Sequence, residues 1–337
     1  MRRLTVHHES FPIAGSFTIS RGSKTTAEVV LVEITDDQYG SNDQQSNRQH
    51  RGRGECVPYA RYGESIDGVI ESVESIRRDI EAGLDRQELQ RLLPAGAARN
   101  AVDCALWDLD SKIAGCRAWE LAGIEVPATE VTAYTLSLDS PAAMQRAAEK
   151  YASRPLLKLK LAGDGDIERV TAVRQGAPDS RIIVDANEGW TIEQYQQMAP
   201  LLASLGVSLI EQPLPAGDDD ALIGIDRPVP VCADESCHDS STLAQLQGKY
   251  DVVNIKLDKT GGLTEALVLR RQAESMGFDI MVGCMLASSL AMAPATLVAG
   301  GAGTVDLDGP LLLVEDRSHP LNFSDNLVGL PAPELWG

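Results

Sequence analysis

Residues 156–185 read LLKLKLAGDGDIERVTAVRQGAPDSRIIVD. The stretch opens on one short apolar run, Leu156–Lys160, passes through an amphipathic segment and closes on a second run, Arg181–Asp185. Apolar runs of this length suit parallel strands covered on both faces. From Lys160 to Asp185 is 25 residues, the length that a loop, a helix, a second loop and a strand require. The same unit recurs on either side. Val131–Thr135 lies upstream, and Val207–Glu211, Val229–Asp234, Val252–Lys256, Asp279–Gly283 and Thr304–Asp308 lie downstream, which makes eight runs. Their closing positions 160, 185, 211, 234, 256, 284 and 306 follow at 25, 26, 23, 22, 28 and 22 residues. Eight β/α units at a steady period predict an α/β fold of the TIM-type (β/α) barrel class over residues 121–309, rather than a doubly wound sheet.

The chain before the barrel is patterned differently. Residues 1–35 alternate as strands do, for example in Phe17-Thr-Ile-Ser and Val29-Val-Leu-Val-Glu-Ile. Residues 41–53 contain no apolar side chain, so they are predicted as an enlarged, mobile hairpin loop away from the site. From Ala97 to Ile113 the residues Ala101, Val102, Ala105, Leu106, Leu109 and Ile113 share one helical face, and Gly115 suits a stop. Strands followed by helices predict an N-terminal α+β capping domain over residues 1–120. The tail, residues 310–337 with Trp336, is expected to pack back on it.

The 337 residues carry 49 acidic and 30 basic side chains, a net charge of −19. Such a surface repels phosphate backbones and anionic lipid, so nucleic acid and membrane are not expected partners. Hydrophobic content of 43% excludes general disorder, and with aromatics at 4% the core must rest on Leu, Val, Ile and Ala. The six cysteines show no CxxC pairing and are expected as thiols. No run approaches 18 apolar residues, and the first residues lack an apolar signal core. A soluble, cytoplasmic protein is expected, and the sequence leaves a homo-oligomer open.

In a barrel the strand ends meet at the C-terminal mouth, where Lys160, Asp185, Glu211, Asp234, Lys256 and Asp306 would converge. A polar residue at one strand end often does no more than cap the next helix. Three successive ends in Asp, Glu and Asp, flanked by ends in Lys, ask for more. Three close carboxylates raise one another's pKa unless a cation compensates them. An all-oxygen set favours Mg²⁺ over Zn²⁺, with Asp185, Glu211 and Asp234 as candidate ligands. Lys158 and Lys160 are two apart on one strand and share a face. A second ammonium and a metal would both lower the proton affinity of Lys160 towards that of a working base. Lys256, four strands on, would stand across the barrel. Two such lysines can take a proton from one face of a carbon and return one to the other, which inverts a stereocentre. A lone Schiff-base lysine is the alternative, but that chemistry has no use for a metal site.

The segments KLK (158–160), VDANEGW (184–190), IEQPLP (210–215), CADESCH (232–238), VNIKLDKTGG (253–262), GCM (283–285) and DLDG (306–309) resemble the enolase superfamily, muconate-lactonizing subgroup. Within it they are most similar to dipeptide epimerases of the L-Ala-D/L-Glu type. The resemblance extends to ARYGES (60–65) and LPAGAARNAVDCALWDLD (93–110), and so covers nearly the whole chain. It implies a substrate carboxylate on Mg²⁺ held by Asp185, Glu211 and Asp234, with Lys160 and Lys256 as the opposed acid/base pair. Lys158 would help to neutralise the enolate. Asp306 and Asp308 match a DxD motif that holds the free α-ammonium of a dipeptide, and Thr135 and Cys284 match substrate-lining positions. The loop Ser20–Lys24 would close the site, with Lys24 where relatives carry Arg as partner of an acidic side chain. The implied activity is epimerisation of L-Ala-D/L-Glu in murein peptide metabolism. The alternatives are o-succinylbenzoate synthase or N-acylamino acid racemase, neither of which needs the DxD, and a non-catalytic binding barrel.

Overall fold

β1 (Arg2–Ile19) and β2 (Gly22–Asp36) form a long antiparallel hairpin, and β3 (His50–Cys56) adds to β2 in the computed structural model, which describes residues 2–37 and 49–337. The hairpin shifts register between Pro12 and Phe17, an irregularity of the kind that locally bends and twists a strand. Helices Ile66–Ser75, Arg77–Ala82, Arg86–Leu92 and Ala97–Ala114 follow. The Ser65 side chain accepts from Gly68 N to start the first, and Asp85 with Glu88 forms a capping box on the third. Helix Ala97–Ala114 ends at Gly115 with φ +66°, the left-handed stop that its sequence predicts. Val30, Val32 and Ile34 of β2 pack on Val69, Val73, Ala101, Ala105 and Leu109 of the helices to make one core.

The polar 41–53 segment divides. Most of it, residues 41–48, lies outside the described residues, whereas His50–Arg53 belong to β3 and pair with Glu33–Asp36. The expectation of a loop through Arg53 is therefore corrected. Its physical reason is glycine. A Cβ on Gly52 would stand 2.1 Å from Ala105 O, and one on Gly54 2.1 Å from Ala101 O. The strand seats directly on helix Ala97–Ala114 with backbone against backbone, a contact that apolar counting does not register.

β4 (Glu130–Val131) precedes eight parallel strands: β5 (Tyr134–Leu136), β6 (Leu156–Lys160), β7 (Arg181–Asp185), β8 (Val207–Glu211), β9 (Val231–Ala233), β10 (Val252–Ile255), β11 (Asp279–Gly283) and β12 (Thr304–Asp306). Their order in the sheet is their order in the chain. Ala133 N donates to Val305 O at 2.8 Å and Leu307 N to Thr132 Oγ1 at 2.9 Å, so β5 and β12 are brought together and the barrel nearly closes. The first apolar run is split, because β13 (Leu327–Val328) captures β4 as an antiparallel ribbon. Ala133, Leu156, Ile183, Leu209, Cys232, Val252 and Met281 form an apolar plug inside the barrel, below the mouth.

Several contacts join the parts. Glu55 of β3 is buried and accepts from Ser288 N and Ser288 Oγ at the head of helix Ser289–Ala299 and from Arg317 Nε. Among residues after 310, Leu313 bridges Ile13, Trp336 Nε1 donates to Cys104 O at 3.0 Å, and Gly337 N donates to Asp108 Oδ1 at 2.7 Å. Among the described residues no helix is long and apolar enough to cross a membrane.

Candidate active site

Strand register sets the site. Lys160 pairs with Asp185, Asp185 with Glu211, and Glu211 with Cys232, so Lys, Asp and Glu stand side by side on one rung at the mouth. Asp234 follows β9, Lys256 follows β10, and Asp306 ends β12 opposite Gly283. All six of these side chains are buried, and so are Lys158, Thr135 and Asp308.

Ammonium groups lie among the carboxylates. Lys160 Nζ is 2.6 Å from Asp185 Oδ2, and Lys256 Nζ is 2.6 Å from Asp234 Oδ2 at the other end of the row. Lys158 Nζ sits between, 2.6 Å from Glu211 Oε2, 2.7 Å from Asp306 Oδ2 and 3.3 Å from Asp185 Oδ2. Asn254 Nδ2 donates to Glu211 Oε1 at 2.9 Å. Among the described residues the buried Asp306 Oδ1 has no hydrogen-bond partner.

Burial and charge set the proton affinities. Burial alone would raise Asp185, but Lys160 and Lys158 bring it down to about 2. Asp234 is likewise held well below the ordinary range by Lys256 and Lys259 against the effect of burial. Glu211 goes the other way, to about 7, because burial and the Asp185 charge outweigh Lys158. Burial would lower Lys158 and Lys256, yet the carboxylates around them hold both ammoniums well above the ordinary lysine range. Lys158 is expected from the sequence as a like charge on Lys160 and, from the resemblance, as a charge that helps to neutralise the enolate. Its first partners are the acids, because Glu211 and Asp306 are the nearest groups to its Nζ.

Among the described residues, no three Asp, Glu, His or Cys side chains are already spaced to share one ion. The donor set nevertheless fits a hard divalent cation. It is all oxygen and buried, and two of its oxygens, Asp185 Oδ2 and Asp234 Oδ2, are balanced by Lys160 and Lys256, the two ammoniums of the row that also line the cavity.

A cavity of about 500 Å³ opens over this row, lined by Lys160, Asp234, Lys256, Cys284, Lys24 and Tyr62 among others. Thr135 lines a smaller neighbouring cavity, and its backbone N donates to Asp308 Oδ2 at 2.6 Å. The structure thus brings Lys24, Lys160, Asp234, Lys256 and Cys284 to one space. Lys158, Asp185, Glu211 and Asp306 lie among the ion pairs beneath, and Thr135 with Asp308 stands to one side. Burial, with the Asp306 charge, raises Asp308 to about 7.

The tip of the β1–β2 hairpin crosses the mouth. Arg21 donates to Asn187 O and Tyr59 OH, both at 2.8 Å, and to Glu235 Oε1 at 2.8 Å. Arg61 holds Glu188 with two bonds of 2.8 Å. Lys24 makes no ion pair among the described residues, and its Nζ stands 5.9 Å over the Tyr59 ring. Sequence reasoning missed Arg21, Asn254 and Lys259. Asn254 was findable, since it lies two residues before Lys256 and therefore on the same face of the strand. Arg21 was in the loop already singled out, but nothing in the sequence told it apart from Lys24 as the residue bound to the barrel.

Residues 1–123 match the mandelate racemase/muconate lactonizing enzyme N-terminal domain model, and residues 142–327 match the enolase C-terminal domain-like model. The chain is 45% identical over 326 residues to the L-Ala-D/L-Glu epimerase of Escherichia coli K12, covering 96% of this chain and 98% of that one. It is 48% identical over 294 residues to an N-acetyl-D-glutamate racemase of a Pseudoalteromonas species, covering 87% and 93%. Among solved structures, an Agrobacterium tumefaciens enolase family member with homology to dipeptide epimerases, with bound sodium and L-Ala-L-Glu, superposes with TM-score 0.94 at 53% identity over the whole of both chains. The Enterococcus faecalis dipeptide epimerase complexed with Mg and L-Leu-L-Tyr matches with TM-score 0.87 at 27% identity, over 97% and 96%. With both modules matched and full-length relatives at this identity, the chain belongs to the enolase superfamily, in its mandelate racemase/muconate lactonizing enzyme group.

Proposed function

We propose that this chain is a dipeptide epimerase that inverts the α-carbon of the C-terminal residue, with L-Ala-D-Glu and L-Ala-L-Glu as its substrate pair. The observation that carries the reading is the setting of Lys160 and Lys256. They stand four strands apart in an eight-stranded barrel, each on an opposite end of the carboxylate row, and both line one cavity. One Nζ removes the α-proton from its face of the substrate, and the other delivers a proton to the opposite face. The protons balance when one lysine is neutral and the other an ammonium at the start of each turnover.

Asp185, Glu211 and Asp234 would hold Mg²⁺. An ion bound there supplies positive charge against the substrate carboxylate while the α-proton leaves. Lys158, kept charged by Glu211, Asp306 and Asp185, adds a fixed positive charge from below. Asp306 and Asp308 would take the substrate ammonium. The unpartnered buried Asp306 Oδ1 supports this role, since a buried acceptor without a donor is costly until a ligand supplies one. Lys24, without an ion pair among the described residues, would meet the glutamate side chain, with Cys284 as further lining and Thr135 from the neighbouring cavity.

A second reading has a specific basis, the 48% identity to an N-acetyl-D-glutamate racemase. Ala-Glu is itself an N-acylated glutamate, so both relatives' substrates share the inverted centre and the acidic side chain. They differ in whether the acyl group carries an ammonium, and two buried aspartates beside the cavity favour the one that does. Salvage of murein peptides is the metabolic role this substrate implies. The test is a panel of dipeptides and N-acyl amino acids with Mg²⁺ in D₂O, followed by proton NMR. Loss of the glutamate α-proton signal from Ala-Glu, faster than from N-acetylglutamate, is expected. Exchange with N-acetylglutamate alone would overturn the dipeptide assignment.

A further inference from the structure

Lys259 is a buried cation beneath the carboxylate row. Its side chain is 0% exposed and it does not line the cavity. Its Nζ donates to Asp234 O at 2.5 Å, Asp234 Oδ1 at 2.6 Å and Asn254 O at 3.0 Å, so all three of its N–H groups are used within the protein. Asp234 is held on its other side as well, its N donating to Gln212 Oε1 at 2.9 Å. The two carboxylate oxygens of Asp234 are thereby assigned differently. Oδ1 belongs to Lys259, and Oδ2 faces Lys256 and the cavity.

We propose that Lys259 is a positioning residue for the metal cage. It pins Asp234 so that Oδ2 alone is presented to the ion. The inference rests on the function proposed above. It adds that the third ligand depends on a lysine that touches neither substrate nor ion.

The test is Mn²⁺ binding to the full-length protein, with free Mn²⁺ read by electron paramagnetic resonance, in the parent and in Lys259→Met. Loss of a partner that orients a metal ligand costs about 10–100-fold in affinity, and a loss of that size is expected here. Affinity within about threefold of the parent, or tighter as removal of a mere repulsive charge would make it, would overturn the proposal. Circular dichroism checks that the variant folds. If Lys259→Met does not fold, the same comparison on Lys259→Gln decides, with the same threshold. A second readout separates positioning from general damage. In the variant, Ala-Glu exchange at Mg²⁺ well above the new dissociation constant is expected to recover towards the parent kcat, and a deficit that saturating Mg²⁺ leaves untouched would refute the assignment. A parent that binds no Mn²⁺ would instead remove the metal-dependent function itself.

Discussion

Asp258 lies two residues beyond Lys256, and both of its hydrogen bonds reach the N-terminal module. Its Oδ1 accepts from Val57 N at 3.0 Å and from Asn100 Nδ2 at 2.8 Å. Among the described residues no cation is paired with it. Burial raises its pKa from 3.8 to about 7, with Glu64 and Glu55 adding to the effect and the two hydrogen bonds offsetting only part of it. The unfolded chain releases this proton near pH 4, whereas the folded chain keeps it until about pH 7. Between those limits the folded state binds more protons, so stability falls as pH rises. Each tenfold change in proton affinity is about 1.36 kcal/mol, which puts the loss across this window at roughly 4 kcal/mol. Asp258→Asn is neutral at every pH, and its amide oxygen can accept the same two bonds. Near pH 4 the variant is expected to match the parent, and at pH 8 to exceed it by about 2–4 kcal/mol. The assay is urea denaturation of both proteins at several pH values between 4 and 8, with the metal concentration held constant. Asp103, raised to about 6 by burial, titrates in both proteins and cancels in the difference. An unchanged pH slope in Asp258→Asn, or a variant less stable than the parent at pH 8, would refute the reasoning.

Two further predictions concern packing and recognition. Gly54→Ala would set a Cβ 2.1 Å from Ala101 O, so β3 must lift off helix Ala97–Ala114; a loss of roughly 1–3 kcal/mol or more is expected in thermal denaturation, and an unshifted midpoint would contradict that contact. Lys24→Ala removes the one cavity cation placed on the glutamate side chain; KM for Ala-Glu is expected to rise about 10–100-fold, the loss of a charge-assisted hydrogen bond, with little change for a dipeptide whose second residue is uncharged. Equal effects on both substrates would place the side chain elsewhere.

Much of the barrel was legible because its signal is periodic. Each strand after the first lies within one apolar run, and register makes each closing residue a neighbour of the next, so Lys160, Asp185 and Glu211 could be set on one rung from spacing alone. What spacing does not carry is the partner of each charge. Lys259 sits in the quoted VNIKLDKTGG segment, yet only the turn after β10 aims it back under Asp234. The same holds for Arg21 and Lys24, three residues apart on one hairpin tip: the first is tied to Glu235, and the second is left without an ion pair among the described residues. At β3 the sequence misleads in the opposite direction. His50–Arg53 look like solvent-exposed loop because glycine, not a hydrophobic side chain, makes the contact with the helix.

Inversion of the α-carbon requires two amines that act from its opposite faces. The most direct measurement uses Lys160→Ala and Lys256→Ala separately, with L-Ala-L-Glu and L-Ala-D-Glu each in D₂O with Mg²⁺, and follows both the glutamate α-proton and the configuration. Epimerisation is expected to fall by about 10²–10⁴-fold in both variants. Residual deuterium exchange should survive from one epimer only, and from opposite epimers in the two variants. Exchange surviving from the same epimer in both, or inversion continuing at the parent rate in either, would contradict it.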